Sequence, residues 1–367
     1  MADNKKFEVN IMMFGGRRSG KTSVLAAMKE CVDKTFNNEA SLGFTIASAD
    51  DETAVKLIEK SQEIKGYYDL PEEERKNPIT PDNSPTFDKQ EYKFNISLID
   101  KPSAKLQINF VDYPGEWLDN STQYGQLKEI MEKTDIIIIA IDTPYLMEAS
   151  KTEEAVGKYN ESKNFSARVA EMVKNNFVVS ENTQRKKMVL FVPLKCERYH
   201  NASNPSKDEM ELVNQKIHKA FENLIAFVTQ GENANRYECA ITPIFTMGNL
   251  RFTRFQEDEN GDFIMYEGKY PAKPMFRFDD NAIEPEPEYC EQPLLYTLLF
   301  LFKWAEQSKT RKGIGRLLTP FDTLASRFLK IPGAEDFAAR SEYLRSKLEK
   351  ESDGYEILSD PLGFKGV

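Results

Sequence analysis

The octet Gly15-Gly16-Arg17-Arg18-Ser19-Gly20-Lys21-Thr22 meets the pattern G-x-x-x-x-G-K-[ST] at every fixed position. Such a loop lets the backbone curl until successive N–H groups point inward at one centre, where a helix N-terminus adds positive dipole. It needs a strand before it and a helix after it, and the flanks provide both. Phe7 to Phe14 is an apolar run of strand length, and Lys21 to Asp33 spaces its apolar residues as an amphipathic helix does. The motif therefore points to polyphosphate binding. In that reading Gly15, Arg18, Ser19 and Gly20 cradle phosphate through the main chain, and Lys21 bridges the β- and γ-phosphates. The Thr22 hydroxyl ligates Mg²⁺, with Ser23 beside it in the nucleotide-contacting set.

Strands and helices alternate after this loop. Ile136 to Ile141 is a nearly continuous apolar run, as expected of a parallel strand covered on both faces, and Met188 to Leu194 and Ala240 to Phe245 repeat that character. Helical patterns at about 121–133, 164–176 and 208–228 lie between them, the order of a doubly wound sheet. Tyr92 to Leu98 and Leu106 to Val111 flank a turn-like Asp100-Lys101-Pro102-Ser103 and predict an antiparallel hairpin. That hairpin sets Asp112 at a strand's carboxyl end. Residues 36–85 read as a long insertion with a short strand at Gly43 to Ala47, a helix near Ala54 to Ile64 and a proline-rich close. Asn249 to Tyr270 reads as an added hairpin turning at Asn260-Gly261, and Leu294 to Phe302 as a buried helix. The expected organisation is a P-loop domain over 1–309 and a helical tail or appendage over 310–367, with short helices near 321–330 and 335–350.

Two further segments narrow the chemistry. Ile108 to Glu116 is an apolar strand ending in D-x-x-G, where Asp112 would hold Mg²⁺ through a water and the Gly115 N–H would sense a γ-phosphate. Leu190 to Glu197 runs from a strand into a loop where GTPases carry N-K-x-D. Lys195 would pack its stem over the base, and Glu197 would accept from the guanine N1 and N2 hydrogens. Leu194 stands in place of the Asn, and Glu197 in place of the Asp, with one more methylene of reach.

With the P-loop, Asp112-Tyr113-Pro114-Gly115 and Leu194-Lys195-Cys196-Glu197 in this order, residues 7–250 resemble a TRAFAC-class, Ras-like GTPase, especially the bacterial double-GTPase group. The resemblance implies a three-layer α/β P-loop fold with a mostly parallel sheet, GTP and GDP as ligands, and Mg²⁺ as cofactor. It also implies a threonine in a mobile loop that closes over the metal: Thr80, in Pro78-Ile79-Thr80-Pro81, is the first choice and Thr86 the alternative. Thr246-Met247-Gly248-Asn249 falls where the last base-contacting loop would be. Two departures bear on mechanism. Glu116 stands where Ras-like enzymes place the glutamine that orients the attacking water, which leaves a carboxylate mechanism, help from a partner or slow turnover. Arg17 occupies a position that is small in that family, where it crowds the γ-phosphate, serves as an arginine finger in cis, or points to solvent. Lys21, Glu116 and Arg17 are the catalytic candidates.

The rest of the chain excludes more than it assigns. A length of 367 residues, 40% of them hydrophobic, suffices for a sizeable core. The formal net charge of -10 argues against a broad nucleic-acid face. Lys309, Arg311, Lys312 and Arg316 form one short basic stretch, read as a solvated linker. No apolar run approaches the roughly 20 residues of a membrane span, and the first fourteen residues do not read as a secretory signal. Cys31, Cys196, Cys239 and Cys290 lack metal-ligand spacing and suit a reducing cytoplasm. Gln256 to Gly261 followed by Glu267 has the spacing of an EF-hand loop without its first Asp, but the strand-like flanks favour an Asn-Gly turn. The expectation is a cytoplasmic, Mg²⁺-dependent protein that binds guanine nucleotide and hydrolyses GTP slowly. Segments 70–86 and 113–120 would switch conformation, with a protein effector or activator engaging the switch segments, insertion or tail. A pseudo-GTPase binding or scaffold module and an ATPase of the P-loop class are the alternatives.

Overall fold

Alternate residues of the strand Ile136–Asp142 point to opposite faces of a sheet, and both faces are buried. Ile136, Ile138 and Ala140 join one core cluster, and Ile137, Ile139 and Ile141 the other. This double burial is what a continuous apolar run demands, and it dictates helices on both sides. The computed structural model describes residues 8–38, 44–81, 88–99, 105–148, 153–179, 186–201, 203–312, 344–348 and 354–363.

The strands are β1 (Glu8–Phe14), β2 (Phe44–Ser48), β3 (Gln90–Leu98), β4 (Lys105–Asp112), β5 (Ile136–Asp142), β6 (Lys187–Leu194), β7 (Tyr237–Ile241), β8 (Leu250–Phe255), β9 (Met265–Tyr266), β10 (Tyr270–Pro271), β11 (Pro274–Phe278) and β12 (Glu356–Ser359). The central sheet has eight of them in the order β12-β7-β6-β5-β1-β4-β3-β2. From β4 to β7 the neighbours are parallel, whereas β3, β2 and β12 run antiparallel at the two edges.

Helices α1 (Lys21–Asn38), α2 (Asp51–Gly66) and α3 (Glu72–Arg75) precede α4 (Tyr124–Lys133), α5 (Thr143–Met147), α6 (Glu153–Asn164), α7 (Ser166–Asn176), α8 (Met210–Ala220), α9 (Glu222–Thr229) and α10 (Gln292–Lys312). One face of the sheet packs Val24, Leu25 and Met28 of α1 with Leu295, Leu298 and Phe302 of α10. The other packs Leu127 of α4, Val169 and Val173 of α7, Val213 and Ile217 of α8, and Leu224 of α9. The architecture is therefore a three-layer α/β fold with a mostly parallel sheet. The carboxyl ends of β1, β4, β5 and β6 share one edge, where ligands of open α/β sheets sit.

The region 36–85 contributes β2, which extends the sheet through five pairs with β3, and α2, whose Asp50 cap accepts from the Thr53 N–H at 2.8 Å. The added hairpin is larger than its sequence suggests. The Asn260-Gly261 turn exists, with Asp258 Oδ1 accepting from the N–H groups of Asn260 and Asp262 at 2.8 and 3.0 Å. Yet β8 pairs with β11 rather than with the segment just past the turn, while β9 pairs with β10. Aromatic packing explains the longer-range choice: Phe252, Phe255, Phe276, Phe278, Tyr145 and Tyr68 build a third small core.

The tail also differs. It is not wholly helical in its described part, because β12 pairs with β7 and completes the sheet edge. Buried Glu238 of β7 accepts from the Leu362 N–H at 2.6 Å. A helical segment at 344–348 falls within the expected helix at 335–350, whereas 321–330 lies outside the described residues. Lys309, Arg311 and Lys312 fall inside α10 rather than in a linker after it.

Since Leu299 is fully buried, Leu299→Ala is predicted to lower stability by about 2–5 kcal/mol in denaturant unfolding. A loss below about 0.5 kcal/mol would show that α10 is not part of this core.

Candidate nucleotide-binding site

The sequence after β1 turns through Gly15 to Gly20 and enters α1 at Lys21, so the P-loop sits between strand and helix. Two close approaches fix its surroundings. A Cβ on Gly16 would overlap the Lys163 carbonyl oxygen, and a Cβ on Gly115 would overlap the Arg17 main chain. The D-x-x-G turn and the end of α6 thus both press against the loop, which only glycine permits.

Lys21 is buried and donates to the carbonyls of Gly15 at 3.0 Å and Gly16 at 3.4 Å. Its Nζ lies 3.8 Å from Asp112 Oδ1. Burial lowers its pKa, and the charges of Asp112 and Glu116 oppose that shift. The Thr22 hydroxyl donates to Asp112 Oδ2 at 2.7 Å. One residue opens a helix and the other closes a strand 90 residues later, and the fold brings their oxygens together. A hydroxyl and a carboxylate at the mouth of a phosphate loop form a donor set suited to a hard cation that keeps several waters. Among the described residues there is no group of three or more His, Cys, Asp or Glu able to hold a metal by itself. The donor set fits Mg²⁺, which would need further ligands from outside the protein.

Just past the carboxyl end of β6 stand Lys195 and Glu197. Lys195 adopts φ 57° and donates to the Arg18 carbonyl at 2.9 Å and to Asp142 Oδ2 at 2.7 Å. The Glu197 carboxylate is buried and accepts from the Met247 N–H at 3.4 Å. Burial pushes its pKa up to about 7, and backbone N–H groups and Arg251 restrain the rise. Both residues line a pocket partly open to solvent, with Arg18 to Ser23, Thr246 and Met247. Thr80 stands on the rim of the same cavity. Thr86 lies outside the described residues. Leu194 is buried, and its Cδ1 lies 3.4 Å from where a Cβ on Gly20 would project. It therefore packs under the P-loop.

Beside the D-x-x-G turn, Arg17 Nε lies 3.1 Å from Glu116 Oε1, and Arg17 Nη1 donates to the Tyr266 hydroxyl at 3.0 Å. Arg17 is turned toward the D-x-x-G segment and the added lobe.

Three residues absent from the sequence reading also belong to this place. Asp142 ends β5 and is fully buried, and its Oδ2 faces Lys195 at 2.7 Å and Lys163 at 3.7 Å. Lys163, near the end of α6, donates to the Arg17 carbonyl at 2.7 Å, so the two lysines grip consecutive P-loop carbonyls. Its pKa falls to about 8, first through burial and then against the pull of Asp142. Asn164 donates to the Asp142 carbonyl and accepts from the Asp142 N–H, fixing the turn. The acid closing the run IIIIAID carried a signal, because ligands gather at the carboxyl ends of parallel strands. Lys163 carried none.

The mostly parallel sheet and the phosphate loop between β1 and α1 define a P-loop α/β domain. The family model for Double-GTPase 2 matches residues 10–228, and the chain belongs to that family. Among solved structures it is similar to the S. cerevisiae Ski7 GTPase-like domain bound to GDP and inorganic phosphate, at 12% identity and TM-score 0.34. It is also similar to that domain bound to GTP, at 11% identity and TM-score 0.35. Each match covers 66% of this chain and 43% of that one, so the chain spans under half the length of these relatives. No curated protein matches the sequence.

Removing the shared counter-ion leaves two cations facing the P-loop with no acid between them. Asp142→Ala is predicted to lower stability by about 3–5 kcal/mol and to weaken nucleotide affinity at least tenfold, read by denaturant unfolding and calorimetry. A variant with wild-type affinity would contradict the gripping role. If Glu197 accepts two guanine hydrogens, it must be ionised to do so. Guanine-nucleotide affinity is thus predicted to fall as pH drops below about 7, with a proton released on binding near and below that pH and little release well above it. An affinity flat from pH 5.5 to 8 in calorimetry would remove Glu197 from base recognition.

Proposed function

We propose that this chain is a Mg²⁺-dependent GTP-binding protein that hydrolyses GTP slowly and changes conformation with its nucleotide state. The observation that carries the reading is the Thr22–Asp112 hydrogen bond at the mouth of the P-loop. Those two side chains would hold Mg²⁺, which when bound supplies charge neutralisation on the β- and γ-phosphates. Lys21, now on the carbonyls of Gly15 and Gly16, would turn to the phosphate oxygens. The main chain of Gly15, Arg18, Ser19 and Gly20, with Thr22 and Ser23 at the helix start, would cradle the phosphates. Lys195 and Glu197 would hold the guanine, and Thr80 would close from the rim.

Hydrolysis is in-line attack. A water oxygen bonds to the γ-phosphorus, the bond to the β–γ bridging oxygen breaks with its electron pair leaving on GDP, and the water's proton passes to the released phosphate. Glu116 would orient that water, and Arg17 would face the charge that develops. A carboxylate beside a γ-phosphate repels it, which accounts for slow turnover. Segments 70–86 and 113–120 would move as the γ-phosphate comes and goes.

We take residues 1–309 as the G domain and 310–367 as an appendage that returns a strand to its sheet. A protein effector or activator would engage the switch segments, insertion or tail. A cytoplasmic setting is supported by four buried cysteines that are all free thiols. No helix among the described residues is long and apolar enough to cross a membrane. The pairing of Glu116 with Arg17 favours one second reading, a pseudo-GTPase that retains intact GTP as a scaffold or binding module.

Titration of GTP, GDP and ATP with Mg²⁺ tests the proposal. GTP and GDP are expected to bind, ATP far more weakly, and Lys21→Ala to lose at least about tenfold in GTP affinity. Absence of GTP binding would overturn the reading. Single-turnover assays separate slow hydrolysis from lasting retention of intact GTP.

A further inference from the structure

The lobe between β8 and β11 meets the site at both segments assigned to switching. Ile79 N–H donates to the Phe276 carbonyl and Phe276 N–H to the Ile79 carbonyl, each at 2.7 Å, so the residue before Thr80 is bridged to β11. On the other side Lys269 Nζ lies 2.6 Å from Asp119 Oδ2, just past the D-x-x-G turn. Between these anchors the Tyr266 hydroxyl accepts from Arg17, whose Nε faces Glu116. The lobe's own geometry is fixed: Tyr266 stacks on Tyr270 with centroids 5.3 Å apart, and the Tyr145 hydroxyl donates to the Pro271 carbonyl at 2.6 Å.

An arginine on a loop has many rotamers and loses much entropy when confined to one. Here its side chain is about one-third exposed, so burial alone does not confine it. The ion pair with Glu116 and the hydrogen bond that Arg17 donates to the hydroxyl of a stacked tyrosine do. Phosphoryl transfer depends on such positioning, and in related systems the cation comes from the same chain or from an activating partner.

We propose that Tyr266 is a positioning residue that holds Arg17 against Glu116 at the γ-phosphate end, so that the lobe acts in cis as a built-in activating element. The inference rests on the GTP-binding reading above. Glu116 keeps a charge partner on the side facing the γ-phosphate, and Arg17 stays where negative charge builds on the transferred group. The lobe is bridged to the Thr80 segment as well, so both segments are referred to one rigid body.

Tyr266→Phe removes the hydroxyl and keeps the stacked ring. It is expected to lower the single-turnover GTP hydrolysis rate at least about tenfold, with GDP affinity within about twofold and an unchanged melting temperature. In an Arg17→Ala background the same change should add less than about twofold, because it acts through Arg17. An unaltered rate, or effects that simply multiply, would overturn the proposal. If the wild-type protein binds GTP without turnover, the readout is the ratio of GTP to GDP affinity. Tyr266→Phe should shift it about fivefold and not in the Arg17→Ala background, and a ratio that stays put overturns the proposal. Absence of GTP binding by the wild type removes the nucleotide reading itself, and the proposal with it.

Discussion

A single hydrogen bond, Thr22 Oγ1 to Asp112 Oδ2, ties the first turn of α1 to the carboxyl end of β4. It has meaning only because β1 and β4 are parallel neighbours, with Glu8 to Met12 in register against Gln107 to Val111. That register brings the P-loop and the D-x-x-G turn to the same sheet edge. The rest of the site is arranged around this junction. Lys21 lies between the P-loop carbonyls and Asp112, Gly115 presses on Arg17, and Lys163 and Lys195 hold the outer carbonyls from a third strand end through Asp142.

Electrostatics explains the composition of the pocket better than any single residue does. Lys21, Lys163 and Lys195 crowd one face of a loop whose ligand would be polyanionic, and the carboxylates Asp112 and Asp142 separate them. Burial pushes the pKa of Lys21 and Lys163 down, the direction expected of cations drawn from water before an anion arrives. Glu197 is the acidic counterpart across the same pocket, where burial pushes the pKa up. A site of this kind is built to exchange solvent for charge and hydrogen bonds supplied by a nucleotide.

Sequence revealed what local patterns encode. The apolar run of β5, the alternation of β3 and β4, and the P-loop with its strand and helix are each contained within a few consecutive residues, so periodicity and spacing locate them. Long-range choices were not legible. The Asn260-Gly261 signal found a turn but not the partner of β8, because aromatic packing between Phe252 and Phe276 decides that pairing across a longer stretch of chain. The four residues of β12 are too few to show alternation, and only the open edge of β7 makes them a strand. Lys163 is one lysine on a weakly patterned helix. Its approach to the Arg17 carbonyl follows from how α6 ends, with Phe165 in the left-handed region at φ 53°.

The central claim is that Thr22 and Asp112 share a metal on a bound guanine nucleotide. The most direct measurement is the release rate of a fluorescent GTP analogue before and after chelation of Mg²⁺. The account predicts release at least about tenfold faster on chelation in the wild type and little change in Asp112→Asn, whose release is fast throughout. Release from the wild type that is indifferent to chelation would contradict it.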